Sequence, residues 1–178
     1  LRHRDRTGQG CLVDTSLPFL DEFGNVIILR TFSKAFGLAS LRAGYAISDT
    51  DTIGAMAKFR PMYEINSMAV LCATILLERY DVIEAAVLRC LATKEQFCKN
   101  VQTLGLPVIQ SRTNFVNIVV GKGHISDLVE LYRENGILIR PGYPWGILGE
   151  CIRISIGDED AMDAAYRVLE RWNDAKPA

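Results

Sequence analysis

The sequence predicts an α/β fold in two substructures joined by a helix, and three observations carry the prediction. Short apolar runs of strand length, residues 25–30 (NVIILR) and 43–48 (AGYAIS) among them, do not alternate strictly with polar residues, which suits strands covered on both faces. Between residues 66 and 102 the apolar positions instead recur every three or four residues, the period of amphipathic helices. From residue 115 to 172 strand-length and helix-length segments follow one another, enough for a compact αβ unit.

Each element has a local reason. Residues 11–14 (CLVD) read as a short buried strand ending in an acid, and 25–30 as a strand that follows the turn signal Phe23-Gly24-Asn25. After the strand at 43–48, Asp49 opens a helix with acidic and threonine residues in its first turn. Helices are expected over 66–78 and 83–102, where Val87, Leu88, Leu91, Phe97, Val101 and Leu104 mark one face until Gly105 and Pro107 end the stretch. A strand at 115–120, a helix at 125–134, a turn and strand at 136–140, a strand at 151–156 and a helix at 159–172 complete the chain. The domain boundary is placed within the long helix, giving domains at residues 1–95 and 96–178.

Composition narrows the function. With 178 residues and a formal net charge of -1, the chain offers no electrostatic reason to bind nucleic acid or an anionic membrane. No apolar run reaches the roughly 18 residues needed to span a bilayer. The five cysteines, Cys11, Cys72, Cys90, Cys98 and Cys151, form no CxxC pair, and only His3 and His124 could join them as ligands. Free thiols in a reducing, cytoplasmic setting are expected, with no metal site.

The informative stretch is residues 30–45, RTFSKAFGLASLRAGY, lying between two predicted strands. Open α/β sheets place ligands at such strand ends. Thr31 and Ser33 offer hydroxyls, Lys34 and Arg42 positive charge, and Gly37 a sharp turn, a set able to cradle a phosphate. A lysine there can form a Schiff base with an aldehyde where its ammonium is partly desolvated or stands near a cation such as Arg42. From residue types alone, both can equally be surface charges beside a polar loop. Near the C-terminus, Arg140 and Arg153 each sit among isoleucines, a costly place for a cation unless it is paired or faces an anionic ligand. A structural salt bridge, for example to Glu150, is the alternative.

In order, S-K-A-F-G-L-A-S-L-R-A-G-Y resembles the Schiff-base lysine signature of fold-type I pyridoxal-phosphate (PLP) aminotransferases, nearest to the histidinol-phosphate aminotransferase and threonine-phosphate decarboxylase groups. The resemblance implies PLP as cofactor, with Lys34 holding it and moving the proton at the substrate α-carbon. It implies Thr31, Ser33 and Arg42 at its phosphate and Asp14 at its pyridine nitrogen. Taken by itself, Asp14 could be a turn former or helix cap. Arg153 matches the arginine for the substrate's acidic group and Arg140 a second arginine for a substrate phosphate. The fold implied is part of the large PLP-binding domain, a mostly parallel sheet with helices, followed by a small C-terminal α/β domain.

The activity implied is transfer of an amino group between a small-molecule amino donor and a 2-oxo acid, as in histidine biosynthesis, by a full-length enzyme that is a homodimer. One departure stands out. The family's Asp-Glu-Ala-Tyr is Asp14-Thr15-Ser16-Leu17 here, and Leu17 cannot donate the tyrosine's hydrogen bond. A PLP-dependent decarboxylase of an amino-acid phosphate therefore stays open, as does a non-catalytic remnant serving as an interaction module. The resemblance covers only the C-terminal half of the family's usual length, so a fragment or one piece of a split enzyme, weak in PLP binding, is expected. Tyr63, Asn66 and Asn114 border the site in this family but read as turn and cap formers. Tyr143 and Trp145 read as packing residues, and His124 as a cap or a solvent-facing residue.

Overall fold

The structure, a computed structural model, describes residues 16–175. The expected strand at 11–14, with Cys11 and Asp14, and His3 lie outside the described residues. Two compact units divide the chain, Leu1–Ile83 and Glu84–Ala178.

In the first unit a short helix α1 (Phe19–Glu22) precedes strands β1 (Ile28–Thr31) and β2 (Gly44–Ile47), which pair antiparallel from Ile28↔Ile47 to Thr31↔Gly44. Glycine is required at 44, because a Cβ there would stand 2.5 Å from the Arg30 carbonyl oxygen. Helix α2 (Thr50–Ala57) starts where Asp49 caps it, its Oδ1 accepting the Thr52 N–H at 2.9 Å. Helix α3 (Ser67–Glu78) is capped the same way by Asn66. The buried cluster here is small, Phe32, Ala43, Ala69 and Ala73, with Phe36, Leu38 and Leu41 packed against it.

Helix α4 (Tyr80–Thr103) crosses the division between the units. In the second unit a four-stranded antiparallel sheet has the order β3-β4-β6-β5, from β3 (Val108–Ile109), β4 (Phe115–Val119), β5 (Arg140–Pro141) and β6 (Cys151–Ser155). Helices α5 (Ile125–Glu134) and α6 (Glu159–Asp174) bury Leu128, Tyr132, Val168 and Leu169 in one core with Val116, Ile118, Ile152 and Ile154 of the sheet and Phe97 and Val101 of α4. The Tyr132 hydroxyl donates to the Ala165 carbonyl at 2.8 Å inside this core.

The α/β class holds, with one difference in pairing. Every strand pair among the described residues is antiparallel, so the mostly parallel sheet expected of the first unit is represented by no pair here. The reason is local: β1 and β2 are joined by a folded loop, whereas parallel neighbours need a crossover, usually a helix. The strand expected at 136–140 shrinks to Arg140–Pro141, the two residues that pair with Arg153 and Ile152 of β6.

Candidate active site

The loop between β1 and β2 is a crown with an apolar underside. Its base closes where the Phe32 N–H donates to the Ala43 carbonyl (3.1 Å), and the Leu38 N–H reaches back to the Phe32 carbonyl (3.0 Å). A turn over residues 34–37 is fixed by the Gly37 N–H donating to the Lys34 carbonyl at 2.9 Å, with Gly37 at φ 67°. Phe32 and Phe36 meet edge to face at 4.9 Å, and with Leu38 and Leu41 they anchor the crown on the small Ala69 and Ala73 of α3.

That underside leaves the polar residues outward. Lys34 is exposed, and its ammonium has no hydrogen-bond or ion-pair partner among the described residues. Three residues before it, the Thr31 hydroxyl lies 2.9 Å from the Ser33 hydroxyl and accepts the Ser33 N–H at 3.0 Å. Arg42 closes a 3-10 turn (Ala39–Leu41) in the left-handed region, φ 53° and ψ 43°, and its Nη1 donates to the Ala39 carbonyl at 2.8 Å. No carboxylate among the described residues pairs with Arg42. Asn66 clamps the crown to α3. Its Oδ1 accepts the Ala69 N–H (2.8 Å) while its Nδ2 donates to the Leu41 carbonyl (3.1 Å). Its cap role was legible in the sequence; its reach back to the crown was not.

A second polar cluster lies in the second unit, on the sheet face opposite the core. Antiparallel register sets Asn117 of β4 opposite Arg153 of β6, and Arg153 opposite Arg140 of β5, so the three side chains share one face. The Arg153 guanidinium is held between two rings, 5.2 Å from the Phe115 centroid and 5.1 Å from that of Tyr143. Its Nη1 donates to the Tyr143 hydroxyl at 2.8 Å, and Tyr143 stacks on Trp145 at 5.4 Å. Neither arginine forms an ion pair with a described residue, so the salt bridge to Glu150 weighed from the sequence is not made. Arg140 corrects the reading from its neighbours: it is exposed rather than buried among isoleucines, because β5 is a sheet edge. Tyr143 does pack, as expected, but on the arginine.

The structure thus gathers Thr31, Ser33, Lys34 and Arg42 on one loop of the first unit, and Arg140 and Arg153 on one sheet face of the second. Cys72, Cys90, Cys98 and Cys151 are free thiols, and the described residues hold no cluster of His, Cys, Asp or Glu suited to a metal. His124 is exposed and meets Trp172 edge to face at 5.5 Å, without a side-chain cap bond. No helix among the described residues is long and apolar enough to cross a membrane.

Solved structures place this fold among the PLP-dependent transferases. Histidinol-phosphate aminotransferase from Sinorhizobium meliloti, solved in complex with pyridoxal-5'-phosphate, superposes with a TM-score of 0.77 at 31% identity, over 85% of this chain and 42% of that one. L-threonine-O-3-phosphate decarboxylase from Porphyromonas gingivalis gives 0.75 at 22% identity over 88% and 49%, a likeness of fold alone. A sequence model of the aminotransferase class I and II family matches residues 6–169, and the chain belongs to that family. Histidinol-phosphate aminotransferase from Caldicellulosiruptor saccharolyticus is 39% identical over 130 residues, which are 71% of this chain and 35% of the relative. The chain therefore spans less than half the length of each of these relatives.

Proposed function

We propose that this chain provides the lysine-bearing part of a PLP-dependent aminotransferase, one that moves an amino group between an anionic amino donor and a 2-oxo acid, as histidinol-phosphate aminotransferase does. The observation that carries the reading is the Lys34 ammonium, unpartnered among the described residues on a crown whose other outward groups are hydroxyls and a guanidinium. These groups fit the cofactor. An aldehyde requires a primary amine that nothing else engages, and a phosphate requires several donors with positive charge.

When bound, PLP supplies an electron sink for negative charge at the substrate α-carbon. Lys34 Nζ would hold the cofactor covalently and, when not so engaged, would take and return the proton at that carbon. Thr31, Ser33 and Arg42 would bind the phosphate. The Asp14 carboxylate would favour a protonated ring nitrogen. Arg153, with Arg140 beside it, binds the substrate's acidic groups; a cation between two aromatic faces with no carboxylate partner is ready for an anion. The free thiols accord with a cytoplasmic setting, and a homodimer is the form in which we expect the enzyme to work.

The test is covalent as well as catalytic. The chain is titrated with PLP, reduced with borohydride, digested, and the pyridoxyl-modified peptide mapped. The adduct is expected on Lys34 and is expected to vanish in K34A. Modification elsewhere, or none, overturns the proposal. With histidinol phosphate and 2-oxoglutarate the longer enzyme should form glutamate; carbon dioxide released from an amino-acid phosphate would replace this reading by the decarboxylase one.

A further inference from the structure

Asn117 stands out among the buried polar groups. It is only 5% exposed, and its Oδ1 has no hydrogen-bond partner. Buried amide oxygens are nearly always paired, because removing one from water without compensation is unfavourable. Lys94, the other buried polar residue among those described, shows the usual solution: its Nζ donates to the Ser111 and Thr113 carbonyls, each at 2.7 Å. Asn117 has an acceptor to spare.

Its position says what that acceptor can meet. Val116 and Ile118 on either side point into the core, so Asn117 points to the opposite face, where register sets it directly across from Arg153. Side chains in such a pair begin only about 5 Å apart at Cβ. Arg153 carries five N–H donors and commits one described contact, from Nη1 to the Tyr143 hydroxyl. A surplus acceptor and surplus donors are thus neighbours on one sheet face. Asn117 is too deeply buried to touch a ligand itself, whereas Arg153 is half-buried and open.

We propose that Asn117 is a positioning residue for Arg153: its Oδ1 accepts a guanidinium N–H when Arg153 turns its fork to an anion, and so fixes the plane of that fork. Binding of a carboxylate or phosphate by two parallel N–H bonds needs the guanidinium held in one plane. The aromatic faces hold its centre and the Tyr143 hydroxyl holds one nitrogen, which leaves the fork free to swing about that contact; an acceptor on the strand behind it removes that freedom. The inference rests on Arg153 being the anion-binding arginine, as read above.

The test measures affinity for the dicarboxylate 2-oxoglutarate by calorimetry in the unaltered chain, N117L, R153K, R153M and the N117L/R153K pair, with thermal melting to confirm folding. N117L is expected to weaken binding about tenfold, the worth of one hydrogen bond to a charged group. In R153K, which keeps the charge but lacks the fork, adding N117L should change nothing further. NMR should show Arg153 guanidinium N–H signals that sharpen with 2-oxoglutarate in the unaltered chain and stay broad in N117L. If R153M abolishes binding while N117L binds as the unaltered chain does, the role of Asn117 falls and that of Arg153 stands. A tenfold loss from N117L that persists in the R153K background also overturns it, as an effect not acting through Arg153. If R153M leaves affinity unchanged, or the unaltered chain shows no saturable binding, both readings fall.

Discussion

Arg42 sits in a conformation that L side chains resist. Its φ of 53° makes it the one non-glycine residue with positive φ among those described, and it falls in the phosphate-binding set proposed above. The left-handed region disfavours a residue with a Cβ by about 1 kcal/mol, and such strain gathers where structure around a site imposes it. The residue's chemistry and its backbone can be separated by two substitutions. R42G removes both the guanidinium and the strain; its stability to urea should rise by about 0.5–1 kcal/mol, less a few tenths for the exposed bond to Ala39. R42A removes the guanidinium and keeps the strain, so no such gain is expected. Both should weaken PLP binding at least tenfold in an absorbance titration, as loss of a charge-assisted contact predicts. A stabilised R42G that binds PLP as tightly as before would detach the strain from the site.

Among the elements, the crown is packed on α3 through Phe32, Phe36, Leu38 and Leu41, and one side chain adds a hydrogen-bonded clamp. Asn66 uses both ends of its amide, one on the helix start and one on the Leu41 carbonyl. N66A should lose about 1 kcal/mol, the usual worth of an N-cap. N66D keeps the cap oxygen and loses the donor to Leu41, so it should leave α3 intact while speeding hydrogen exchange at the Leu41 N–H, which bonds across the crown's 3-10 turn to the Leu38 carbonyl. Equal exchange in N66D and the unaltered chain would show the clamp to be idle. Elements with many residues in period were legible in the sequence. α5 runs over 125–134 as its spacing predicts and α6 lies within a few residues of its expected span, because amphipathic repetition there reports burial. α3 and α4 also lie within a few residues of theirs, but Leu71 and Ile75 of α3 and Leu88 and Leu91 of α4 are exposed, so their apolar spacing marked the helix and not its buried face. The lysine loop was legible because its residue order is specific. What escaped depends on distant partners. β3 has two residues behind Pro107 and exists through pairing with β4 alone. Lys94 looks like one more charge on a helix, yet it is buried against carbonyls 17 and 19 residues away, and burial pulls its pKa below the usual lysine range. Asn117 reads as one polar residue within an apolar strand until register sets it against Arg153.

Over the whole molecule, burial is unevenly divided, and stability should be too. The first unit's buried cluster is Phe32 and three alanines, with Ile28 and Ile83 buried outside it, while Leu29, Phe59 and Met62 stand 74%, 88% and 88% exposed and Leu71, Ile75 and Leu77 of α3 are also in water. The second unit encloses two aromatic rings and a continuous set of branched aliphatics. Since burial is the dominant favourable contribution, unfolding in urea should occur in two steps, the first unit opening earlier. Amides of β1 and β2 should exchange well before those of β4 and β6. The second step should carry its own pH signature from Tyr132, whose hydroxyl is buried and holds its proton well above the usual tyrosine range. In the unfolded chain the same hydroxyl ionises near about pH 10. Above that pH the unfolded state binds fewer protons than the folded one, so stability is fully present below about pH 10 and falls as pH rises further. Y132F removes the ionisation and the bond to Ala165, lowering stability at about pH 8 by roughly 1 kcal/mol. Its second urea midpoint should then decline less between about pH 10 and pH 11 than that of the unaltered chain. Parallel declines in the two proteins would assign the alkaline loss to another group.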